Sequence, residues 1–235
     1  MTAAAWVSYQ LKTLVARYPT LALPIQRLRG RGEVLADDTE IVIESFPRCA
    51  SSFAVAAFRL AQEPHASRIA HHTHTPAQVL AATRRRVPTL VLIRSPEDAV
   101  LSHVIHTAAL TPAVSLRGYV RFHEPLLPHR SGFVVGTFEE VVGDFGAVIE
   151  RVNHRFGTAF RPFEHRPEHL GRLDREIAED YRSRARSQED LDRIVPLPSE
   201  RRREMKDRLR AEYRAVSAGL RRRAEAAYDT LRAEA

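Results

Sequence analysis

The sequence predicts an α/β domain of three layers, in which helices flank a central, mainly parallel sheet and a helical extension follows. Two β-branched runs, at 40–46 and 89–93, are typical of strands buried in a parallel sheet. Each run leads directly into a segment with apolar residues at helical spacing, and strands that alternate with helices indicate a parallel sheet. The length of 235 residues suits one domain of ordinary composition, 44% hydrophobic and 28% charged.

The elements are predicted in chain order from these patterns. Apolar residues at helical spacing predict a helix within 1–28, and the strand at 40–46 leads into a helix at 51–60. A brief strand at 67–70 precedes a helix that begins near Pro76, and the strand at 89–93 precedes a helix that Ser95 caps. A fourth strand at 132–138 precedes one helix at 139–156.

The chain changes character near Pro162. Residues 166–187 are heavily charged, and Ser199 is expected to cap one long charged helix that runs to Leu231. We therefore divide the single domain into an N-terminal helical segment (1–38), a core (39–160) and a charged helical cap (161–235).

The formal net charge is +7, and arginine carries nearly all of it, because Lys12 and Lys206 are the only lysines. The planar guanidinium binds two oxygens of a phosphate or sulfate at once, so the composition suits an anionic ligand. A genome rich in G and C favours the same residue, and composition alone leaves both explanations open.

Cys49 is the only cysteine, which excludes an intramolecular disulfide and favours a reducing, cytoplasmic location. No run reaches the roughly 20 apolar residues of a membrane span. The N-terminal segment is expected to pack on the domain, and a peripheral membrane contact stays open.

The first strand runs into the loop and helix start Phe46-Pro-Arg-Cys-Ala-Ser-Ser-Phe53. A helix N-terminus presents unpaired N–H groups to a phosphate or sulfate, and Arg48, Ser51 and Ser52 add donors. This is not a Walker loop, because G-x-x-x-x-G-K-[ST] is absent and the loop has no glycine. An ordinary capped helix explains the same residues, so the motif alone leaves both readings open.

A second motif, Arg94-Ser-Pro-Glu-Asp-Ala-Val-Leu-Ser102, begins where the strand at 89–93 ends. Arg94 at the strand tip and Ser102 on the next helix are placed to hold one phosphate between them. Ligands of open α/β sheets bind at the carboxyl ends of the strands, where both motifs lie. We therefore expect the two motifs to lie close together at one edge of the sheet.

In their order and spacing these motifs resemble the PAPS-dependent sulfotransferase superfamily over about residues 41–157. That family has a [Y/F]-P-[K/R]-x-x-[S/T]-[S/T]-[W/F] loop, a strand ending in R-x-P-x-[D/E]-x-x-x-S, and a later [Y/F]-E-[D/E]-[L/V] that Phe138-Glu-Glu-Val141 matches. The resemblance implies a P-loop NTPase-like sulfotransferase fold. It also implies transfer of a sulfuryl group from 3′-phosphoadenosine 5′-phosphosulfate (PAPS) to a hydroxyl or amine of a carbohydrate, glycolipid or small metabolite, with PAP as product and without a metal.

The resemblance assigns roles residue by residue. It places Arg48, Cys49, Ala50, Ser51, Ser52 and Phe53 at the 5′-phosphosulfate, Arg94 and Ser102 at the 3′-phosphate, and Phe138 near the adenine. Arg48 is also expected to act in catalysis. Two departures stand out: Cys49-Ala50 replaces the Ser-Gly of many members, and a C-terminal R-x-G-x-x-G-x-W segment is missing. Arg182, Arg184 and Arg186 are candidates to replace the phosphate contacts of that segment.

Sulfuryl transfer to a hydroxyl needs a base, and histidine suits neutral pH. The turn His71-His-Thr-His74-Thr-Pro76 resembles the K-x-H-x-P of cytosolic members, which places the base on His74. The E-x-H of glycan sulfotransferases would place it on His72, which is the alternative. A solvent-exposed histidine turn and a zinc site of His65, His71, His72 and His74 are further readings, although no cysteine or carboxylate partner follows at a familiar spacing.

Other functions stay open beside this one. A small P-loop-type nucleotide kinase is disfavoured by the missing Walker lysine, and a catalytically degenerate PAP-binding module is the second alternative. The arginine runs at 84–86, 201–203 and 221–223 suggest nucleic acid, but acidic residues interleave with the last two and predict a solvated helix face. The acceptor is expected to contact residues 107–128 and 161–198, with His103 and His106 as candidates. The sequence specifies neither the acceptor nor the oligomeric state.

Overall fold

A computed structural model describes residues 13–30, 32–107, 109–195 and 200–235. Within these residues four strands form one parallel sheet in the order β2-β1-β3-β4. The strands are β1 (Ile41–Ser45), β2 (Ile69–His71), β3 (Thr89–Ile93) and β4 (Val134–Thr137). Ile43 pairs with Leu90, and Leu90 pairs in turn with Val134. The predicted α/β class, with a parallel sheet flanked by helices, is confirmed.

Helices connect and cover the strands. They are α1 (Pro19–Arg29), α2 (Ser51–Gln62), α3 (Pro76–Arg85), α4 (Pro96–His106), α5 (Pro112–His123), α6 (Phe138–Gly143), α7 (Phe145–Phe156), α8 (Pro167–Arg184), α9 (Gln188–Ile194), α10 (Glu200–Ala215) and α11 (Ala218–Arg232), with a 3₁₀ helix at Glu124–Gly132. No described helix is both long and apolar enough to span a bilayer.

Burial of both sheet faces explains why β1 and β3 have continuous apolar character. Every residue of the two strands is buried. Ile43 belongs to the main core together with Phe58 of α2 and Val148 of α7. Val42, which points to the opposite face, packs with Ala82 of α3 in a smaller cluster.

Several predicted elements differ in their boundaries from the observed ones. The first strand is Ile41–Ser45 rather than 40–46, and the helix after it ends at Gln62 rather than at 60. The second strand is Ile69–His71 rather than 67–70, so His71 belongs to the sheet. The fourth strand ends at Thr137, and Phe138 is the first residue of α6. The prediction of a single helix at 139–156 is wrong, because the backbone leaves helical geometry at Asp144. The Asp144 side chain accepts a hydrogen bond of 3.1 Å from Ala147 N and so caps a second helix, α7.

The expected long C-terminal helix is also two helices, α10 and α11, because the chain turns at 216–217. The turn allows Tyr213 before it and both Ala224 and Leu231 after it to enter the main core. The predicted cap Ser199 lies outside the described residues. At the N-terminus α1 starts at Pro19, and residues 1–12 of the expected helix also lie outside the description.

Candidate active site

A cavity of about 860 Å³ lies at the carboxyl ends of β1 and β3. It brings together nearly all the side chains that the two motifs and the histidine turn predict. The lining includes Arg48, Ala50, Ser51, Ser52, Phe53, His72, His74, Arg94, Ser102 and Phe138. Cys49 is the exception: its side chain is buried in the main core, where burial raises the pKa of the thiol to about 12. Cys49 therefore offers only its backbone to a ligand.

The loop between β1 and α2 has an unusual backbone. Arg48 has a φ of 72° and Ala50, the residue before α2, a φ of 67°. This left-handed region costs a non-glycine residue roughly 1–2 kcal/mol. His72 and His74 also have positive φ, so four of the five described non-glycine residues of this kind line the cavity. Such strain is typical of functional sites.

The N-terminus of α2 faces this cavity without a side-chain cap among the described residues. By contrast, α4, α5, α6 and α7 each have a side chain that accepts a hydrogen bond from the first turn. Because the first N–H groups of a helix lack intrahelical partners, α2 presents donors and a partial positive charge to the cavity.

Three arginines from distant parts of the chain lie close together, and two of them contact one serine. The Arg48 guanidinium donates to Ser102 Oγ at 3.2 Å, and the Arg202 guanidinium of α10 donates to the same oxygen at 3.3 Å. The Arg94 guanidinium donates to the carbonyl oxygen of Arg48 at 3.2 Å. None of the ion pairs between described residues involves Arg48 or Arg94. Their partners in these hydrogen bonds, a hydroxyl and a carbonyl oxygen, are neutral.

The electrostatics of the cluster favour an added anion. Burial, with Arg94 nearby, lowers the pKa of Arg48, and burial beside Arg48 and Arg94 lowers the pKa of Arg202 to about 10. Arg202 is still charged at neutral pH. Arg94 Nε is buried and has no hydrogen-bond partner among the described residues, while its guanidinium lies 3.8 Å from the ring centroid of Phe138. Clustered, buried cations with a spare donor suit a ligand with several negative oxygens.

The histidine turn contains a chain of hydrogen bonds that fixes its protons. The Arg59 guanidinium can only donate, so His71 Nε2, at 2.9 Å, accepts. His71 Nδ1 then donates to His72 Nδ1 at 2.5 Å, which leaves the proton of His72 on Nε2, 3.4 Å from Ser52 Oγ. Burial lowers the pKa of His72 to about 2. His72 is therefore a neutral donor toward Ser52.

His74 has the opposite arrangement of its ring nitrogens. Its Nδ1 lies 2.9 Å from the carbonyl oxygen of Ser45, an acceptor, so Nδ1 bears the proton. In the neutral form of the ring the lone pair is then on Nε2. Because His74 lines the cavity, this tautomer is the one that a general base requires.

The buried carboxylate of Glu44, on β1, holds the histidine turn from below. It accepts hydrogen bonds from Thr73 N at 2.7 Å, Thr73 Oγ1 at 2.8 Å, His74 N at 3.1 Å and Gln78 Nε2 at 3.0 Å. Burial nevertheless raises the pKa of Glu44 to about 7. Sequence analysis missed this residue, because a glutamate near a strand end normally faces solvent.

The C-terminal cap contributes further residues to the cavity, among them Tyr181 and Lys206. Tyr181 of α8 has its hydroxyl 3.2 Å from Ser52 Oγ, and Lys206 of α10 pairs with Asp98 at 2.7 Å while lining the cavity. Arg202 and Lys206 were missed because they lie within a mixed-charge helical segment that predicts a solvated face. The three arginines suggested from α8 and the following loop, Arg182, Arg184 and Arg186, are exposed and do not line the cavity.

The remaining histidines divide between packing and the cavity. His103 lines the cavity, stands edge-on to Phe46 with ring centroids 5.2 Å apart, and has Nδ1 3.0 Å from Ser115 Oγ. Burial lowers the pKa of His106, which also lines the cavity, to about 4. In the described part of the chain, no group of three or more His, Cys, Asp or Glu side chains is arranged to hold a metal ion.

Comparisons with known proteins extend this description. No family model matches the chain, and no curated protein matches it. Among solved structures the chain is similar to mouse sulfotransferase SULT7A1 complexed with PAP, with a TM-score of 0.43 and 12% sequence identity. The similarity covers 82% of this chain and 89% of that chain.

Proposed function

We propose that this protein is a PAPS-dependent sulfotransferase. The observation that supports the proposal best is the cluster of Arg48, Arg94 and Arg202 at the carboxyl ends of two adjacent parallel strands, where Arg48 and Arg202 both donate to Ser102. PAPS presents two anionic groups, a 5′-phosphosulfate and a 3′-phosphate, and the cluster lies between the uncapped end of α2 and the start of α4. The spare donor at Arg94 Nε fits one of these groups.

Each end of the donor molecule has a set of residues on this chain. Arg48, the α2 N–H groups, Ser51 and Ser52 hold the 5′-phosphosulfate. Arg94, Ser102 and Arg202 hold the 3′-phosphate, so that Arg202 replaces the missing glycine-rich segment. Phe138, already stacked on Arg94, lies beside the adenine.

PAPS supplies the sulfuryl group, and the chain supplies a base and fixed positive charge. His74 Nε2 accepts the proton of the acceptor hydroxyl as that oxygen bonds to sulfur and the bond to the 5′-phosphate oxygen breaks. Arg48 and the α2 N–H groups stabilise the charge that develops on the leaving phosphate. Ser52, which receives the His72 Nε2 proton in a hydrogen bond, directs its own hydroxyl proton toward a sulfuryl oxygen. Positioning and charge stabilisation dominate such transfers.

The test is nucleotide selectivity, measured by calorimetric titration with PAP, 5′-AMP and ATP. We expect PAP to bind at least about tenfold more tightly than ATP. Arg94→Ala should weaken PAP by about 10- to 100-fold, the loss of a charge-assisted contact of 1.5–3 kcal/mol, and leave 5′-AMP nearly unchanged because it has no 3′-phosphate.

Arg222→Ala, on the exposed face of α11, is the matched control and should leave all three affinities unchanged. Tighter binding of ATP than of PAP would contradict the proposal and favour the kinase reading. Equal losses of PAP and 5′-AMP in Arg94→Ala would show that Arg94 does not recognise the 3′-phosphate.

A further inference from the structure

Exposed apolar side chains are concentrated on α1 and the turn before it. Among described residues six large hydrophobic side chains are exposed, and five of them recur here every three or four positions. They are Leu14, Tyr18, Leu21, Ile25 and Leu28, which we call the apolar ridge. Leu28 is 89% exposed and Leu21 54% exposed, so the ridge projects outward rather than lining a groove. An exposed apolar patch of this kind indicates an interaction surface.

The stretch of sequence that contains the ridge carries charge of one sign. Residues 1–32 contain five basic residues and no aspartate or glutamate, whereas the rest of the chain holds all 29 acidic residues. Arg17 and Arg29 are exposed beside the ridge. A helix with an apolar face, basic flanks and no acidic residue is the pattern that lies on an anionic bilayer.

The inner face of α1 is anchored next to the cavity. Ala22, Leu23 and Gln26 are buried, and α1 packs on α3. Just before α1, Ala77 N donates to Ala16 O at 3.0 Å and Arg121 donates to Thr13 Oγ1 at 2.7 Å. Thr13 and Ala16 both line the cavity. The ridge therefore begins at the cavity wall.

We infer that the apolar ridge and its basic flanks dock this protein on an anionic membrane surface. A convex ridge suits a deformable bilayer, whereas a protein partner would have to supply a matching groove. Association of two ridges in a symmetric dimer would bring like charges together, which disfavours a second copy as the occupant.

Docking in this orientation places one wall of the cavity beside the lipid headgroups. The acceptor is then an amphipathic molecule held in the bilayer, with its hydroxyl or amine at the surface. This last step rests on the proposed sulfuryl transfer, whereas the membrane contact does not.

The experiment is sedimentation of the full chain with vesicles of phosphatidylcholine, alone or mixed with phosphatidylglycerol. We expect binding to the anionic vesicles that falls with added salt and exceeds binding to the neutral ones by at least about tenfold. The variant Leu21→Ser/Ile25→Ser/Leu28→Ser should lose at least about tenfold in partitioning. The variant Arg17→Gln/Arg29→Gln should lose about tenfold in partitioning onto the anionic vesicles.

The matched control is Arg208→Gln/Arg222→Gln, at two exposed positions on α10 and α11. It should bind vesicles as the wild type does, and circular dichroism melts check that every variant folds. Absence of vesicle binding, equal binding to both vesicles, or equal losses in ridge and control variants would overturn the inference. A wild-type dimer that the ridge substitutions dissociate would instead make a second copy the occupant, and capture of an acidic protein without vesicle binding would make that protein the occupant.

PAP titration of the ridge variant separates this inference from the proposed function. We expect unchanged PAP affinity in that variant. Vesicle binding by a wild type that does not bind PAP would retain the membrane contact and overturn only the acceptor step.

Discussion

The cavity and the outer helical surface use the same residue types in opposite ways. On the outer surface arginines pair with carboxylates, as Arg172 does with Glu63 at 2.5 Å and Arg223 with Glu124 at 2.7 Å. In the cavity Arg48 and Arg94 donate to neutral oxygens, and the backbone beside them adopts left-handed conformations. The difference shows that the arginine bias of the sequence has no single meaning, because location and partner decide what each guanidinium does.

The largest expected effect separates the two cavity histidines. His74→Gln should reduce the rate of sulfuryl transfer by about 10²–10⁴-fold, because it removes the proton acceptor at Nε2. His72→Gln should cost far less, since His72 donates to Ser52 and burial lowers its pKa to about 2. The measurement is kcat with saturating PAPS, and PAP affinity should be retained in His74→Gln. Equal losses of kcat in the two variants would contradict the assignment of His74 as the base and of His72 as a hydrogen-bond donor.

The next effect concerns the buried carboxylate under the turn. Burial raises the pKa of Glu44 from 4.5 to about 7, so the unfolded chain releases this proton first as pH rises. The contribution of Glu44 to stability is thus fully present below pH 4.5 and is lost by about pH 7. Between pH 4.5 and about 7, the free energy of unfolding of the wild type should fall by roughly 3 kcal/mol relative to that of Glu44→Gln, at 1.36 kcal/mol per pKa unit. Denaturant unfolding of both proteins at several pH values measures this difference.

The opposite result would be a difference in the free energy of unfolding between the wild type and Glu44→Gln that stays constant, or grows in favour of the wild type, as pH rises. It would mean that the hydrogen bonds from Thr73, His74 and Gln78 outweigh the cost of burial.

A smaller effect tests the strained loop against an ordinary helix. Ala50→Gly should raise the free energy of unfolding by about 1 kcal/mol, because glycine adopts a φ of 67° without steric cost. Ala226→Gly, at an exposed position within α11, should lower it by about 1 kcal/mol. Thermal or denaturant unfolding compares the two, and destabilisation by both substitutions would argue against strain at Ala50.

The sequence identified the local parts of the site. Strands β1 and β3 are continuous β-branched runs, and the residues that follow them are short motifs whose order is visible in the chain. Because parallel strands end at the same edge of a sheet, Arg48 and Arg94 were expected near each other, and the structure brings them together. Asp144 was a usable cap signal within the helix predicted at 139–156, and it was overlooked.

The residues that were missed depend on tertiary packing. Arg202 is buried between α9 and Ser102, yet its neighbours Arg201 and Arg203 are exposed, so the run appears solvated in sequence. Glu44 is identified only by the Thr73 and His74 donors that fold over it. No local pattern specifies such contacts, because their partners lie 29 to 100 positions away.

The most direct test of the central claim is the release of PAP from PAPS, measured with a panel of phenol, amine, sugar and membrane-lipid acceptors. The account predicts acceptor-dependent release by the wild type, a loss of at least about 100-fold in Arg48→Ala, and no change in Arg222→Ala. Equal rates in Arg48→Ala and Arg222→Ala would contradict it, because the cavity arginines would then be no different from those of the outer surface.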